Sequence, residues 1–261
     1  MVDLTYFGHQ ARRAAKFLAL LPTEEKNAIL LHLADLLVAG KQKILAANAQ
    51  DIQQAVEIGL SEALIDRLRM TPARIDGIAE DVRTVATLTD PVGAVFGETR
   101  MPNGLKVHKQ RVPLGVLAVI YESRPNVTVD VASLALKSGN AVILRGGKET
   151  LHSNLALVQM LHQALRDRGI PATAVQFIDS PDRQLVTELL QMHESIDMLI
   201  PRGSDRLQRF CRENSRIPVI TGGIGICHLF VDETADQKAS VEVIHNAKTQ
   251  RPSVCNALDT V

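Results

Sequence analysis

At 261 residues the chain can bury a sizeable core, as one large domain or two small ones. Lysine plus arginine (29) balance aspartate plus glutamate (29), so no global field argues for nucleic acid or an anionic membrane as partner. Aromatic residues are 3% with no tryptophan, which removes the stacking platforms that single-stranded nucleic acid needs.

The N-terminus carries no basic-apolar-small signal pattern, and no uninterrupted apolar run approaches the ~18 residues of a membrane helix. The three cysteines, Cys211, Cys227 and Cys255, form no C-x-x-C pair, so neither a zinc site nor a disulfide framework is indicated. A cytoplasmic protein with reduced thiols and no metal is the expectation.

The first ninety or so positions read as helix. Ala11, Ala14, Ala15, Phe17, Leu18 and Leu21 form a stripe that Pro22 interrupts. Thr23, followed by Glu24 and Glu25, reads as an N-cap with acids at the positive end of the helix dipole. Ile29, Leu30, Leu33, Leu36 and Leu37 recur at helical spacing. Gly40 is expected to interrupt this run, which resumes through Ile44, Leu45 and Ile52. Thr71-Pro72 predicts a second cap with proline at the first helical position. After Asp90-Pro91 the pattern changes. Glu98 to Met101 and Leu105 to Arg111 flank Pro102-Asn103-Gly104, a β-hairpin signature.

From Pro113 onward short apolar runs alternate with helical patterns. Strands are predicted at Val116 to Ile120, Ala141 to Leu144, Val175 to Ile178, Met198 to Ile200, Pro218 to Ile220 and Ile226 to Val231. Helices are predicted at Val127 to Lys137, about Thr150 to Arg168, about Arg183 to Met192, Ser204 to Glu213 and about Asp236 to Asn246, with Gly139 and Gly169 as stops. Continuous apolar strands alternating with helices predict an α/β fold with a doubly wound, mostly parallel sheet, of nucleotide-binding outline.

The dinucleotide fingerprint G-x-G-x-x-G is absent: the first strand-to-helix turn is Tyr121-Glu-Ser-Arg-Pro-Asn126. Two other turns are candidate phosphate cradles, Arg145-Gly146-Gly147-Lys148 and Arg202-Gly203-Ser204, each opening a helix whose N-terminal amides attract anions. An acid at the end of the second strand would hold the ribose of NAD; Arg145 and Lys148 stand there instead, which favours the 2′-phosphate of NADP. Solvated loop charges are the competing reading.

Cys255 lies in a polar loop behind Lys248 and Arg251, and nearby cations lower a thiol pKa. Nucleophile and small buried hydrophobe both stay open for it on local grounds. Cys211 in a helix and Cys227 in an apolar run fit the buried reading. None of the eight histidines clusters with it or earns a role.

The run from Pro113 through Asn126, Lys137-Ser-Gly-Asn140, Leu144-Arg-Gly-Gly-Lys-Glu149, Pro201-Arg-Gly-Ser204, Ile220-Thr-Gly-Gly223 and Gln250-Arg-Pro-Ser-Val-Cys255-Asn, in that order, resembles the gamma-glutamyl phosphate reductase branch of the aldehyde dehydrogenase superfamily. The resemblance covers essentially the whole chain. It implies a helical segment of the nucleotide-binding domain over 1–90, an oligomerisation-type hairpin over 91–112, an NADP-binding α/β domain over 113–250 and the start of a catalytic domain over 251–261. Cys255 matches the catalytic cysteine, Gly203-Ser204 the turn beside the nicotinamide half of NADPH, and Arg145 to Lys148 the place of the adenosine ribose. Arg124 and Asn126 are weak candidates for binding the substrate, with a structural turn as the alternative.

The superfamily's tryptophan-asparagine dipeptide is replaced around Tyr121 to Ser123. Its hydrolytic glutamate would fall near Ile220-Thr221, where neither residue can act as a base. The missing base suits a reductase that must not hydrolyse its thioester, and it argues against an ordinary aldehyde-oxidising enzyme. The implied reaction is NADPH-dependent reduction of L-glutamyl 5-phosphate to L-glutamate 5-semialdehyde in proline biosynthesis, with a homo-oligomer and an association with glutamate 5-kinase as implied partners. A CoA-acylating aldehyde dehydrogenase is one alternative. The family runs on past the cysteine, whereas the sequence stops at Val261. A C-terminally truncated, catalytically silent nucleotide-binding fragment is therefore the other alternative.

Overall fold

The computed structural model describes residues 2–222, 225–252, 254 and 256–261. These fall into two compact units, 1–221 and 222–261. In the first, five helices precede any strand: α1 (Leu4–Leu18), α2 (Thr23–Ala39), α3 (Lys41–Glu57), α4 (Glu62–Leu68) and α5 (Pro72–Thr87). Thr71 caps α5 by accepting from the Arg74 amide, with Pro72 at the first position, as its sequence predicts. Thr23 differs. It is the first residue of α2 rather than its cap, and its hydroxyl donates to Asp90 Oδ2 instead. The same carboxylate oxygen takes the Lys26 ammonium, which is almost fully buried, at 2.9 Å. A charge that deep needs its partner, so the side chain that looked available for capping is recruited to the ion pair.

The hairpin is β1 (Val95–Arg100) against β2 (Lys106–Gln110), antiparallel and exposed at every residue. The sheet that follows consists of β3 (Val116–Tyr121), β4 (Ala141–Arg145), β5 (Val175–Phe177) and β6 (Met198–Arg202), all parallel, in the order β5-β4-β3-β6. The expected run at Pro218 to Ile220 adds only a single parallel bridge, Val219 to Leu199, on the outer side of β6. Every residue of β3 is buried because helices cover both faces of the sheet.

The crossover helices are α6 (Asn126–Lys137), α7 (Leu151–Asp167), α8 (Gln184–Leu189) and α9 (Asp205–Asn214). α6 and α7 lie against the sheet and are themselves covered by α2, α3 and α5, while α1 packs on β4 and β5. Gly139 and Gly169 end α6 and α7 with φ of +73° and +71°, a left-handed turn that a Cβ would strain.

The N-terminal helices therefore do more than wrap. Asp51 of α3 is buried, and its carboxylate accepts from the amides of His152 and Ser153 at 3.1 and 2.8 Å and from Ser153 Oγ at 2.6 Å. Thr150, at the cap position of α7, makes no capping bond. The start of α7 is thus capped from another helix. Nearby, Asn48 bonds the Leu68 carbonyl, Ser153 Oγ and the Met70 amide.

In the second unit, Asp236 caps α10 (Gln237–Thr249) through the Ala239 amide. β7 (Cys227–His228) pairs in parallel with β8 (Leu258–Thr260), and Lys248 Nζ donates to the Leu258 carbonyl. The predicted strand from Ile226 to Val231 is thus only two residues long. Cys227, expected to be buried, is half-exposed on a strand with one neighbour. No helix among the described residues is long and apolar enough to cross a membrane.

Asp51→Ala should lower the unfolding free energy by about 2–3 kcal/mol, because it strips a buried charged acceptor from three donors at once. Urea denaturation checks this. Removal of the exposed Arg83 partner of Asp35 should leave the midpoint unchanged.

Candidate active site

In a sheet of this order the strand order reverses between β3 and β6, and the crevice outside their carboxyl ends is where such folds take a ligand. Three turns open there: 122–125 after β3, 146–147 after β4 and 203–204 after β6.

The Gly146-Gly147 turn is held from beneath by a buried relay. Tyr121 Oη donates to Thr128 Oγ1 at 2.6 Å, Thr128 donates to Asn154 Oδ1 at 2.9 Å, Asn154 Nδ2 donates to Thr150 Oγ1 at 2.9 Å, and Thr150 donates to the Gly147 carbonyl at 3.1 Å. Thr128 and Thr150 each accept one bond and give one, so the direction is fixed along the whole run, with the Tyr121 hydroxyl as its first donor. Burial pushes the Tyr121 phenol well above its ordinary range, which keeps it a neutral donor. Gly146 is required for space rather than for conformation: a Cβ there would run into Asn154 Nδ2 and sit 3.3 Å from the Tyr121 ring.

Arg145, at the end of β4, is half-buried. Its guanidinium reaches the carbonyls of Gly146 and Pro181 at 3.3 Å and of Asp182 at 3.5 Å, and burial lowers its pKa. Its Nε is buried with no hydrogen-bond partner among the described residues. Lys148 is exposed on the same turn and makes no ion pair among the described residues. Glu149 folds back from a short 3₁₀ turn, and its Oε1 accepts from the Ser123 amide at 2.9 Å and from Ser123 Oγ at 3.0 Å. Ser123 is the only described non-glycine residue with a positive φ, +51°. That strained conformation is held by the Glu149 carboxylate.

The third turn is already occupied by protein. Ser204 caps α9 through the Leu207 amide, and its own amide donates to Glu122 Oε2 at 2.8 Å. Its hydroxyl lies 3.3 Å from Glu122 Oε1. Gly203 is covered by the same carboxylate. An anion arriving at the start of α9 therefore meets Glu122 first. Asn126 is the first residue of α6 and turns its amide inward to Asp130 Oδ2 at 2.7 Å rather than capping the helix; Arg124 precedes it in the turn. Cys255 lies outside the described residues. Cys211 is buried in α9, and burial pushes its thiol up to about 11, so it is no nucleophile.

Arg145, Gly146, Gly147, Lys148, Gly203, Ser204, Arg124 and Asn126 all fall on the turns, or the strand and helix ends that flank them, at the same end of one sheet. Sequence reading missed the carboxylates of Glu122 and Glu149, which hold these turns, and Asp51, which holds the helix behind them. Acids directly after a strand or at a helix start were the available signal.

The fold and this arrangement of turns can be set beside known proteins. The sequence matches the aldehyde dehydrogenase family over residues 3–259. The chain belongs to the aldehyde dehydrogenase family. It is 57% identical over 263 residues to the gamma-glutamyl phosphate reductase of Roseiflexus castenholzii, covering 100% of this chain and 62% of that protein. The crystal structure of gamma-glutamyl phosphate reductase from Thermotoga maritima superposes with a TM-score of 0.90 at 44% identity, covering 98% of this chain and 62% of that one. The Saccharomyces cerevisiae counterpart gives 0.79 at 33%, with 99% and 65% covered. The chain thus spans about three-fifths of the length of these relatives.

A dinucleotide suits the crevice on its own terms. Arg145 keeps an unsatisfied buried N–H, and Lys148 offers an uncommitted ammonium beside it, a donor set for a phosphate.

Gly146→Ala should destabilise the fold by about 1–3 kcal/mol through overpacking against Asn154 and Tyr121. Asn154→Ala should cost about as much by orphaning Thr128 and Thr150. Both are read by urea denaturation. An unchanged midpoint in both variants would remove the relay from the account.

Proposed function

We propose that the chain carries out, or forms the nucleotide-binding and nucleophile-bearing part of, the NADPH-dependent reduction of L-glutamyl 5-phosphate to L-glutamate 5-semialdehyde and phosphate. The observation that carries this reading is the pair of cations, Arg145 and Lys148, at the carboxyl end of β4, where an acid would select the unphosphorylated ribose. The likeness to gamma-glutamyl phosphate reductases over the whole chain supports the choice of substrate.

In this reading the Cys255 thiolate attacks the acyl carbon, the carbon–oxygen bond to phosphate breaks, and phosphate leaves with the electron pair. NADPH, when bound, supplies a hydride to the thioester carbon. The resulting oxyanion collapses, the carbon–sulfur bond breaks, and the thiolate returns as the aldehyde departs. Lys248 and Arg251, upstream of Cys255 in sequence, favour the thiolate. Ile220 and Thr221 offer no base to activate water, so the thioester survives until it is reduced. Arg145 and Lys148 hold the 2′-phosphate. The turns at 146–147 and 203–204 take the pyrophosphate and the nicotinamide half, the latter after displacing Glu122. Arg124 is assigned to the substrate's anionic groups, and Asn126 to orienting Asp130.

A thiolate mechanism needs a reducing compartment, which supports a cytoplasmic location. The hairpin exposes Val95, Phe96, Leu105 and Val107, which supports pairing with a second copy through a sheet edge. Association with a glutamate 5-kinase rests on the resemblance alone.

The test is the reverse reaction: phosphate-dependent reduction of NADP by glutamate semialdehyde, with the parent chain and with Cys255→Ser. The reading predicts turnover that falls at least ~10⁴-fold in the variant. Iodoacetamide labelling should reach Cys255 at pH 8 well before the buried Cys211. Equal labelling rates, or turnover that survives the substitution, would overturn the assignment.

A further inference from the structure

Between α5 and α6, clear of the nucleotide turns, lies a groove of about 150 Å³ lined by Asp81, Val82, Val85, Asp130, Ser133 and Leu134. Its polar groups do not satisfy one another. Ser133 is fully buried, and its Oγ has no hydrogen-bond partner among the described residues. Asp130 accepts one bond, from Asn126, and Asp81 makes none among the described residues. Asp81 is exposed to solvent, but the half-buried Asp130 beside that like charge and the buried Ser133 hydroxyl left open form a costly arrangement unless something fills it. The physical state of Asp130 agrees: burial, reinforced by the charge of Asp81, raises its carboxyl to about 6, while the Asn126 bond pulls the other way.

We propose that this groove is the subsite for the α-ammonium group of the amino-acid substrate, held by Asp81, Asp130 and Ser133. The inference rests on the reading of the substrate as a glutamyl phosphate. An ammonium carries three N–H donors, and the groove presents three acceptors. Val82, Val85 and Leu134 supply apolar wall for the adjoining carbon chain. Among the described residues no group of three histidine, cysteine or acidic side chains could hold a metal ion, so an organic cation is the better occupant. The placement fits as well. Asp130 lies one turn along α6 from Asn126, and α6 opens at the carboxyl end of β3, the end that carries the nucleotide turns. A substrate anchored there by its ammonium can extend its acyl phosphate toward the crevice. The groove then selects the aminoacyl phosphate over the corresponding acyl phosphate that lacks the ammonium, a discrimination that a polar site makes well.

The test compares L-glutamate with glutarate, which keeps both carboxylates and lacks only the ammonium. Each is titrated against the isotope-labelled chain by NMR. L-Glutamate should shift the Asp130 and Ser133 signals and bind about tenfold tighter than glutarate, the loss expected for one charge-assisted contact. Asp130→Asn should bring that ratio close to one. Asp81→Asn, on the exposed side of α5, should do the same without disturbing the core. Equal binding of the two ligands, absence of any shift at the groove up to tens of millimolar glutamate, or an unchanged ratio in both variants would overturn the proposal. Cys255 labelling and turnover report on a different segment. If they fail while glutamate still binds here, the activity reading falls alone. If they hold while glutamate ignores the groove, only the subsite falls.

Discussion

The site depends on one buried relay of hydrogen bonds, from Tyr121 through Thr128, Asn154 and Thr150 to the Gly147 carbonyl. It joins β3, α6 and α7 to the turn after β4. Its groups are out of water, Thr128 and Thr150 each both give and accept, and one broken link leaves two groups unsatisfied. Gly146 lies against Asn154 and the Tyr121 ring because the relay draws the turn down onto them. Asp51 extends the same constraint outward by capping α7 from α3. The N-terminal helices, which carry no candidate catalytic group, thereby set where the turn after β4 lies.

Acids govern the remaining turns. Glu149 holds Ser123 in a left-handed conformation, and Glu122 covers the start of α9. Both carboxylates accept from backbone amides that could otherwise face an anion. The positive groups with donors to spare are instead Arg145, through its Nε–H, and Lys148. This division of charge argues that the 2′-phosphate end of a dinucleotide finds ready partners, while its nicotinamide half has to displace the Glu122 carboxylate. In the groove between α5 and α6, Asp81 and Asp130 present the opposite polarity, suited to a cation.

Much of this was legible in the sequence. Apolar runs such as Val116 to Ile120 and Ala141 to Leu144 announced buried parallel strands, and Gly139 and Gly169 stopped their helices where left-handed turns stand. Thr71-Pro72 capped α5 as its chemistry requires. Local signals failed where a long-range partner competed. Thr23 left its capping role for Asp90 because a buried ammonium demanded that carboxylate. Pro218 to Ile220 had strand composition but shrank to one bridge beside β6. Asp51, Glu122 and Glu149 looked like ordinary helix or loop acids, since their donors lie 101, 82 and 26 residues away. Asp130 and Ser133 drew no notice on a helix face whose covering by α5 no periodicity reveals.

The central claim is that the turn after β4 is built for a 2′-phosphate. Its most direct measurement is the binding of NADPH against NADH to the intact chain, followed by nucleotide fluorescence, with Lys148→Glu as the altered turn. The account predicts that NADPH binds at least ~10-fold tighter than NADH and that the substitution erases the difference, as expected for loss of a phosphate–ammonium contact. Equal affinities in the parent chain, or a preference that survives in Lys148→Glu and in Arg145→Ala alike, would contradict it.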